Sequence, residues 1–274
     1  MIKIKVNNLD VEGILFSGAC FRMTKESDGS ITNILKDRVV NIKQDGNVLT
    51  IISNNYNNLE SIINEYFDLN RDYELINKEL INNNKDLEDT INSCKNYRIL
   101  NQDSFEMGIS YIISQNNNVK RISKIINDIS ECYGTKIVFN NKDYYLFPTY
   151  EALKNIKLED LSRFKLGFRD KYIIDYLKKY ETLKDIDDLD TSSALDKLMS
   201  IKGIGLKVAS CILLFGYKRL DVFPIDTWVK QYMTKNYNLK NDIKLIKEYS
   251  YNHYHPYEGL VIQYMFHKER NVNK

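Results

Sequence analysis

The spacing of apolar residues changes period near Asn58, and that change fixes the architecture the chain can adopt. Ahead of it lie the runs Ile31-Thr32-Asn33-Ile34-Leu35, Val39-Val40-Asn41-Ile42 and Val48-Leu49-Thr50-Ile51-Ile52, punctuated by Asp28-Gly29 and Asp45-Gly46. Those dipeptides favour the positive φ angles of tight hairpins, and β-branched side chains suit half-buried strands. Beyond it, Leu59, Ile62, Ile63 and Tyr66 recur at helical spacing, as do Leu75, Ile76, Leu80 and Ile81. The pattern predicts an α+β protein. An N-terminal antiparallel β-sheet domain with flanking helices is expected over residues 1–100, followed by all-helical domains over 101–274.

Within the helical part, Phe105, Ile109, Ile112 and Ile113 form an apolar stripe that stops at Ser114-Gln115-Asn116-Asn117-Asn118, and Val119, Ile122, Ile125 and Ile126 begin the next. Pro148 marks a loop before a short helix at Tyr150-Glu151-Ala152-Leu153, and Leu166-Gly167-Phe168-Arg169 precedes another amphipathic segment. With 43% hydrophobic residues, 12% aromatic and only 3 prolines, an ordered core is expected. The 39 basic and 37 acidic side chains leave a formal charge of +2, so affinity for nucleic acid would have to come from local clustering. Cys20, Cys94, Cys132 and Cys211 are widely spaced without a Cys-x-x-Cys pair. That predicts reduced thiols and supports neither disulfides, zinc nor an iron–sulfur cluster. Met1-Ile2-Lys3-Ile4-Lys5-Val6 alternates apolar and basic residues, with no signal core, and no stretch approaches a membrane span. A soluble, cytoplasmic protein with no membrane partner is expected.

In Leu198-Met199-Ser200-Ile201-Lys202-Gly203-Ile204-Gly205-Leu206-Lys207-Val208-Ala209, an apolar helix runs into Gly-x-Gly and straight into a second apolar helix. Glycines at 203 and 205 let the backbone turn sharply and approach another molecule closely. The second helix then offers free N–H groups and the positive end of its dipole, a place for a phosphate. Taken alone, a Gly-x-Gly reads better as a capped αα-hairpin packed for structure. Further on, Phe223-Pro224-Ile225-Asp226-Thr227-Trp228 places a carboxylate at a helix start, where Asp226 is a natural N-cap whatever else it does.

Together, Gly203-Ile204-Gly205-Leu206-Lys207-Val208-Ala209 and Pro224-Ile225-Asp226 resemble the helix-hairpin-helix and Gly/Pro-Asp signature of base-excision DNA glycosylases. Further segments resemble the 8-oxoguanine DNA glycosylase branch. The resemblance implies that Lys207 is the attacking amine, Asp226 its carboxylate partner, and Gly203 and Gly205 the phosphate-binding turn. Ser17-Gly18-Ala19-Cys20-Phe21-Arg22 resembles the pocket loop, whose Gly18 carbonyl would accept the N7 hydrogen that separates 8-oxoguanine from guanine. Cys211 and Phe266 match the pair that sandwiches the extruded base. Asn116 and Arg121 match residues that fill the vacated gap and contact the orphaned cytosine. Phe168 and Arg169 match the DNA wedge, with Phe168 where tyrosine is common. Two more positions depart from the family pattern. Ile262 stands where many members have a glutamine on the base's Watson–Crick edge, with Gln263 expected to point elsewhere on the helix. Trp228 stands where better-known members carry a histidine near the 5′ phosphate.

This resemblance implies a bifunctional glycosylase/AP lyase acting on double-stranded DNA that contains an oxidised purine, expected opposite cytosine. The base would be flipped out, a lysine Schiff base formed and the strand cut by β-elimination. No cofactor is required on this reading, no side-chain cluster identifies a metal, a monovalent cation could sit on the hairpin carbonyls, and a monomer is expected. Thymine-glycol and adenine-mismatch glycosylases are the nearest rivals, but usually carry a C-terminal four-cysteine cluster that this chain lacks. Alkylated-base glycosylases generally lack the lysine. A helix-hairpin-helix module that merely binds DNA would need neither Lys207 nor Asp226.

Overall fold

A computed structural model describes residues 1–272, with side chains as far as residue 269. Strands β1 (Ile2–Lys5), β2 (Met23–Lys25), β3 (Ile31–Leu35), β4 (Arg38–Asp45) and β5 (Val48–Ser53) form an antiparallel sheet in the order β1-β5-β4-β3-β2. The period of two in the sequence becomes one buried face: Ile31 lies opposite Ile42 and Ile42 opposite Ile51, all three at 3% exposure or less. Gly29 and Gly46 take φ of +81° and +54°, turning β2 into β3 and β4 into β5 as their Asp-Gly dipeptides predict. The alternation in Met1–Val6 has a second meaning, for this segment is the edge strand β1, paired to β5.

Between β1 and β2, the short helix α1 (Val11–Leu15) is capped by Asp10, whose carboxylate accepts the Gly13 N–H at 2.9 Å. It delivers the chain into the loop that carries Gly18. Helices α2 (Leu59–Tyr66), α3 (Tyr73–Asn83) and α4 (Glu88–Ser93) follow the sheet. Next come α5 (Ser104–Ser114) and α6 (Val119–Tyr133), strands β6 (Lys136–Phe139) and β7 (Lys142–Tyr145), then α7 (Tyr150–Leu153), α8 (Leu158–Leu161) and α9 (Arg169–Lys179). The chain continues through α10 (Thr191–Met199), α11 (Leu206–Gly216), α12 (Thr227–Tyr237), α13 (Ile243–Tyr254) and α14 (Glu258–Val272). The β6–β7 hairpin is an addition to the expected helices. Asn140 and Asn141 both adopt positive φ, 49° and 59°, which a two-residue primed turn requires and asparagine tolerates.

One apolar core runs from the sheet into the helices, including Ile14 and Ile63 on one side and Ile112, Ile212 and Met265 on the other. At its centre α5 packs on α11. Every residue from Phe105 to Ile113 is buried, as is every residue from Val208 to Phe215. Helices buried on all sides lie in the interior, so these two form the rigid platform for whatever projects from their ends. Arg22 ties the halves together by pairing with Glu106 at 3.7 Å and donating to the Tyr145 carbonyl. Among the described residues no helix is long and apolar enough to cross a membrane.

Candidate active site

The turn between α10 and α11 is anchored to α9 by two polar contacts. The Lys202 N–H donates to Asp175 Oδ2 at 2.7 Å, and Lys179 Nζ donates to the Ser200 carbonyl at 2.8 Å. Gly203 takes a φ of +86°, and a β-carbon there would collide with the ring of Tyr172. Gly205 differs. It is the N-cap of α11 with no side-chain capping bond, its φ is −93°, and a β-carbon would meet nothing within 4 Å. One glycine is thus required by conformation and packing inside the protein, while the other leaves open space beside the free N–H groups of α11.

Lys207 sits in that first turn, half-buried, and the face of α11 below it carries Cys211 and Phe215 at four-residue intervals. These three side chains form one wall of a cavity of about 130 Å³. Ser17, Gly18 and Ala19 line it from the α1–β2 loop, and Tyr111 of α5 contributes a ring. Pro224, Asp226, Trp228 and Val229 enter from the start of α12, and Ile262, Gln263 and Phe266 from α14. Gly18 adopts φ +98°, and its loop is held by Gln102 Nε2 donating to the Ala19 carbonyl at 2.9 Å. Asp226 is exposed and caps α12, with Oδ1 accepting the Val229 N–H at 2.9 Å. Lys207 Nζ lies 5.5 Å from the centroid of the Tyr111 ring. Burial pushes the Cys211 thiol up; the charge of Lys207 and a hydrogen bond from it oppose the shift, and Asp226 adds to it. The amine, the thiol and the carboxylate are therefore within electrostatic reach of one another. Phe266 stands edge-on to Trp228 at 5.1 Å and 86°.

Seven residues singled out in the sequence thus meet at one cavity: Gly18, Lys207, Cys211, Asp226, Trp228, Ile262 and Phe266. Gln263 corrects an expectation, because it lines the same cavity instead of pointing away. Neighbours on a helix project about 100° apart, and a cavity mouth spanning that arc receives both. Ile262, at 2% exposure, is packed into the core on its far side. Ser17, Ala19 and Pro224 belong to motifs quoted in the sequence without a role of their own, and sequence reasoning missed Tyr111, Phe215 and Val229. For Tyr111 no periodic signal existed, since α5 is buried on every face.

A second cluster holds the remaining candidates. Asn116 is exposed with φ +46°, and Asn118 caps α6 by accepting the Arg121 N–H at 3.0 Å. The exposed Arg121 donates through Nη2 to the Lys165 carbonyl at 2.9 Å. Phe168, 49% exposed, packs edge-on against Tyr172 at 5.6 Å and so connects with the hairpin through Gly203. Arg169 departs from its expected role as a DNA-facing side chain. It is 4% exposed and donates to the carbonyls of Gln115 at 2.8 Å, and of Asn116 and Leu166 at 2.9 Å each. Burial, then the nearby Arg121 charge, lowers its guanidinium pKa. In this structure Arg169 shapes the asparagine loop from behind, with its guanidinium 4.5 Å over the Phe168 ring.

A larger cavity of about 370 Å³ lies behind the Gly18 loop, lined in part by Cys20, Arg22, Tyr66 and Glu106. Size does not make it the reactive site, for neither Lys207 nor Asp226 reaches it. Among the described residues no group of His, Cys, Asp or Glu side chains is gathered to hold a metal, and the four cysteines are free.

The fold and the cavity define a helix-hairpin-helix protein in which an amine just past the hairpin shares a recess of about 130 Å³ with a carboxylate. Comparison with known proteins gives the family. The sequence model of the 8-oxoguanine DNA glycosylase N-terminal domain matches residues 1–107, and that of the HhH-GPD superfamily of base excision DNA repair proteins matches residues 109–251. A probable N-glycosylase/DNA lyase of Methanothermobacter thermautotrophicus is 29% identical over 214 residues, 68% of this chain and 67% of that one. The apo crystal structure of the 8-oxoguanine glycosylase/lyase of Clostridium acetobutylicum superposes with a TM-score of 0.90 at 34% identity, covering 96% of this chain and 94% of that one. Its complex with double-stranded DNA containing cytosine opposite 8-oxoguanine gives 0.90 at 33% identity, with 98% and 94% covered. The chain belongs to the HhH-GPD superfamily of base excision DNA repair proteins, in its 8-oxoguanine DNA glycosylase branch.

Proposed function

We propose that this protein is a DNA N-glycosylase with AP lyase activity that removes 8-oxoguanine from double-stranded DNA. The observation that carries the reading is the convergence of Lys207, Asp226, Cys211 and Phe266 on one cavity beside an open helix-hairpin-helix turn. Residues 1–100 act as the sheet domain that brings in Gly18, and residues 101–274 as the glycosylase region. The protein works as a monomer, with the chromosome in the cytoplasm. A monovalent cation on the hairpin carbonyls belongs to this reading by the resemblance alone. No step depends on the ion.

Base flipping costs a few kcal/mol, offset here by Phe168 entering the stack and by stacking of the extruded base between Cys211 and Phe266. Asn116 and Arg121 occupy the vacated gap on the cytosine side. Free backbone N–H groups at the start of α11, after Gly205, hold phosphate, and Trp228 packs where the 5′ phosphate passes. The Gly18 carbonyl accepts the N7 hydrogen of the lesion. The lone pair of Lys207 Nζ then forms a bond to C1′ as the C1′–N9 pair departs with the base, which takes up a proton. Asp226 stabilises the positive charge that develops on the sugar. Loss of O4′ from C1′, with a proton, gives the protonated Schiff base. Removal of a C2′ proton then expels the 3′ phosphate oxygen, cutting the strand.

Borohydride tests the assignment. A duplex bearing 8-oxoguanine opposite cytosine becomes covalently trapped on the wild-type protein, and Lys207→Gln abolishes trapping while retaining DNA binding. Undiminished trapping by Lys207→Gln rejects Lys207 as the nucleophile, whereas retention of DNA without incision by the wild type rejects enzymatic activity. Scoring the four opposite bases separately tests the preference for cytosine.

A further inference from the structure

We infer that Tyr111 is a positioning residue for the lyase step: the face of its ring holds the cationic nitrogen of Lys207. The inference rests on the proposed lysine chemistry and adds a group that the sequence did not reveal. Lys207 Nζ lies 5.5 Å from the Tyr111 centroid, inside the ~6 Å range in which a cation is attracted to the negative face of an aromatic ring. The ring cannot readily turn its face away. It is 5% exposed, stacked on Phe215 at 5.7 Å and 12°, and flanked edge-on by Phe21 at 6.1 Å and 73°. The packing of α5 on α11 fixes the ring relative to the turn from which Lys207 springs.

Other groups around the amine do not duplicate this contact. Burial raises the Cys211 thiol, which favours its uncharged form, and Asp226, which caps α12 through Val229, is exposed and so differs from the buried ring in its surroundings. Among the residues lining the cavity, Tyr111 thus supplies a buried, immobile surface suited to positive charge next to Nζ. Its effect falls unevenly along the reaction. In base release the ring acts on any cationic form of the amine before attack as well as on the nitrogen as it bonds to C1′, so that benefit largely cancels there. β-Elimination depends on the protonated Schiff base, which draws the C2′–H electron pair toward C1′=N⁺. There the ring favours the reactive, charged form over the neutral imine. Strand cleavage relative to base release is therefore what Tyr111 controls.

The test uses the full-length protein with phenylalanine, or its mono-, tri- or pentafluorinated analogues, in place of Tyr111. Each step of fluorination weakens the ring's negative face at nearly constant shape. Tyr111→Phe retains strand cleavage and borohydride trapping. Across the fluorinated series the ratio of nicked to base-released product falls progressively, by about three- to tenfold overall, the equivalent of one partly desolvated cation–π contact. A flat ratio across the series, with DNA binding intact, overturns the inference and leaves Tyr111 as packing alone. Tyr111→Leu provides the ring-free limit where it folds; the fluorinated series decides the matter if it does not. Failure of the wild type to form any trapped complex overturns the lysine chemistry itself, a result distinct from a flat series.

Discussion

Replacing each hairpin glycine by alanine separates the two jobs that the Gly-x-Gly performs. At Gly203 the φ of +86° costs a residue with a β-carbon about 1–2 kcal/mol. The same β-carbon collides with the Tyr172 ring. Tyr172 is only half-buried, so it can swing aside, and the overpacking cost falls near the lower end of about 1–3 kcal/mol. Gly203→Ala should therefore lose about 2–3 kcal/mol in urea unfolding. It should also disturb the nearby Phe168, which packs on Tyr172. At Gly205 the φ of −93° suits any residue and the added carbon meets nothing within 4 Å. Alanine is a poorer N-cap than glycine but loses less chain entropy, so Gly205→Ala should change stability by less than about 1 kcal/mol. It should nevertheless weaken duplex binding, measured by fluorescence anisotropy at fixed salt, because the methyl stands where the phosphate must approach. Equal stability losses in the two variants, or full DNA affinity in Gly205→Ala, would refute this division of labour.

Three further outcomes follow from the geometry. Asp226→Asn keeps an equally good N-cap, so stability should hold within about 0.5 kcal/mol while single-turnover base release falls at least ~100-fold; a retained rate would reduce Asp226 to its capping role. Arg169→Leu strips the donors from three carbonyls and should cost about 2–4 kcal/mol in urea unfolding; a loss under ~0.5 kcal/mol would mean that the guanidinium is free to leave them. Burial raises the Glu106 carboxyl from 4.5 to about 7, against the opposing charge of Arg22. The folded state therefore keeps a proton between those values that the unfolded chain releases, and this stabilisation is complete below pH 4.5 and lost as the pH rises through about 7. Glu106→Gln should flatten that decline, worth up to about 3 kcal/mol, in melts compared at pH 5 and pH 8; an unchanged slope would clear Glu106 of responsibility.

Much of the architecture was legible because local rules governed it. Asp28-Gly29 and Asp45-Gly46 turn where positive φ is needed, and Leu59, Ile63 and Tyr66 bury one face of α2. The Asn140-Asn141 turn has an equally local cause, two residues tolerant of positive φ, and it joins the paired strands β6 and β7. Lys207 and Asp226 were also readable, since each belongs to a short motif whose backbone chemistry is local. Other facts had no local expression. Arg169 and Arg121 carry the same charge on either side of one loop, yet packing buries the first against three carbonyls and leaves the second exposed. Tyr111 lies on a helix buried all round, so only its juxtaposition with α11 sets it under the amine. Gln263 reaches the cavity because of how α14 is rotated against the α1–β2 loop, a variable that helical periodicity leaves undetermined. Backbone conformation is decided within a few residues, and the sequence determines it; side-chain surroundings are decided by distant segments competing for the same space, and only the assembled fold does.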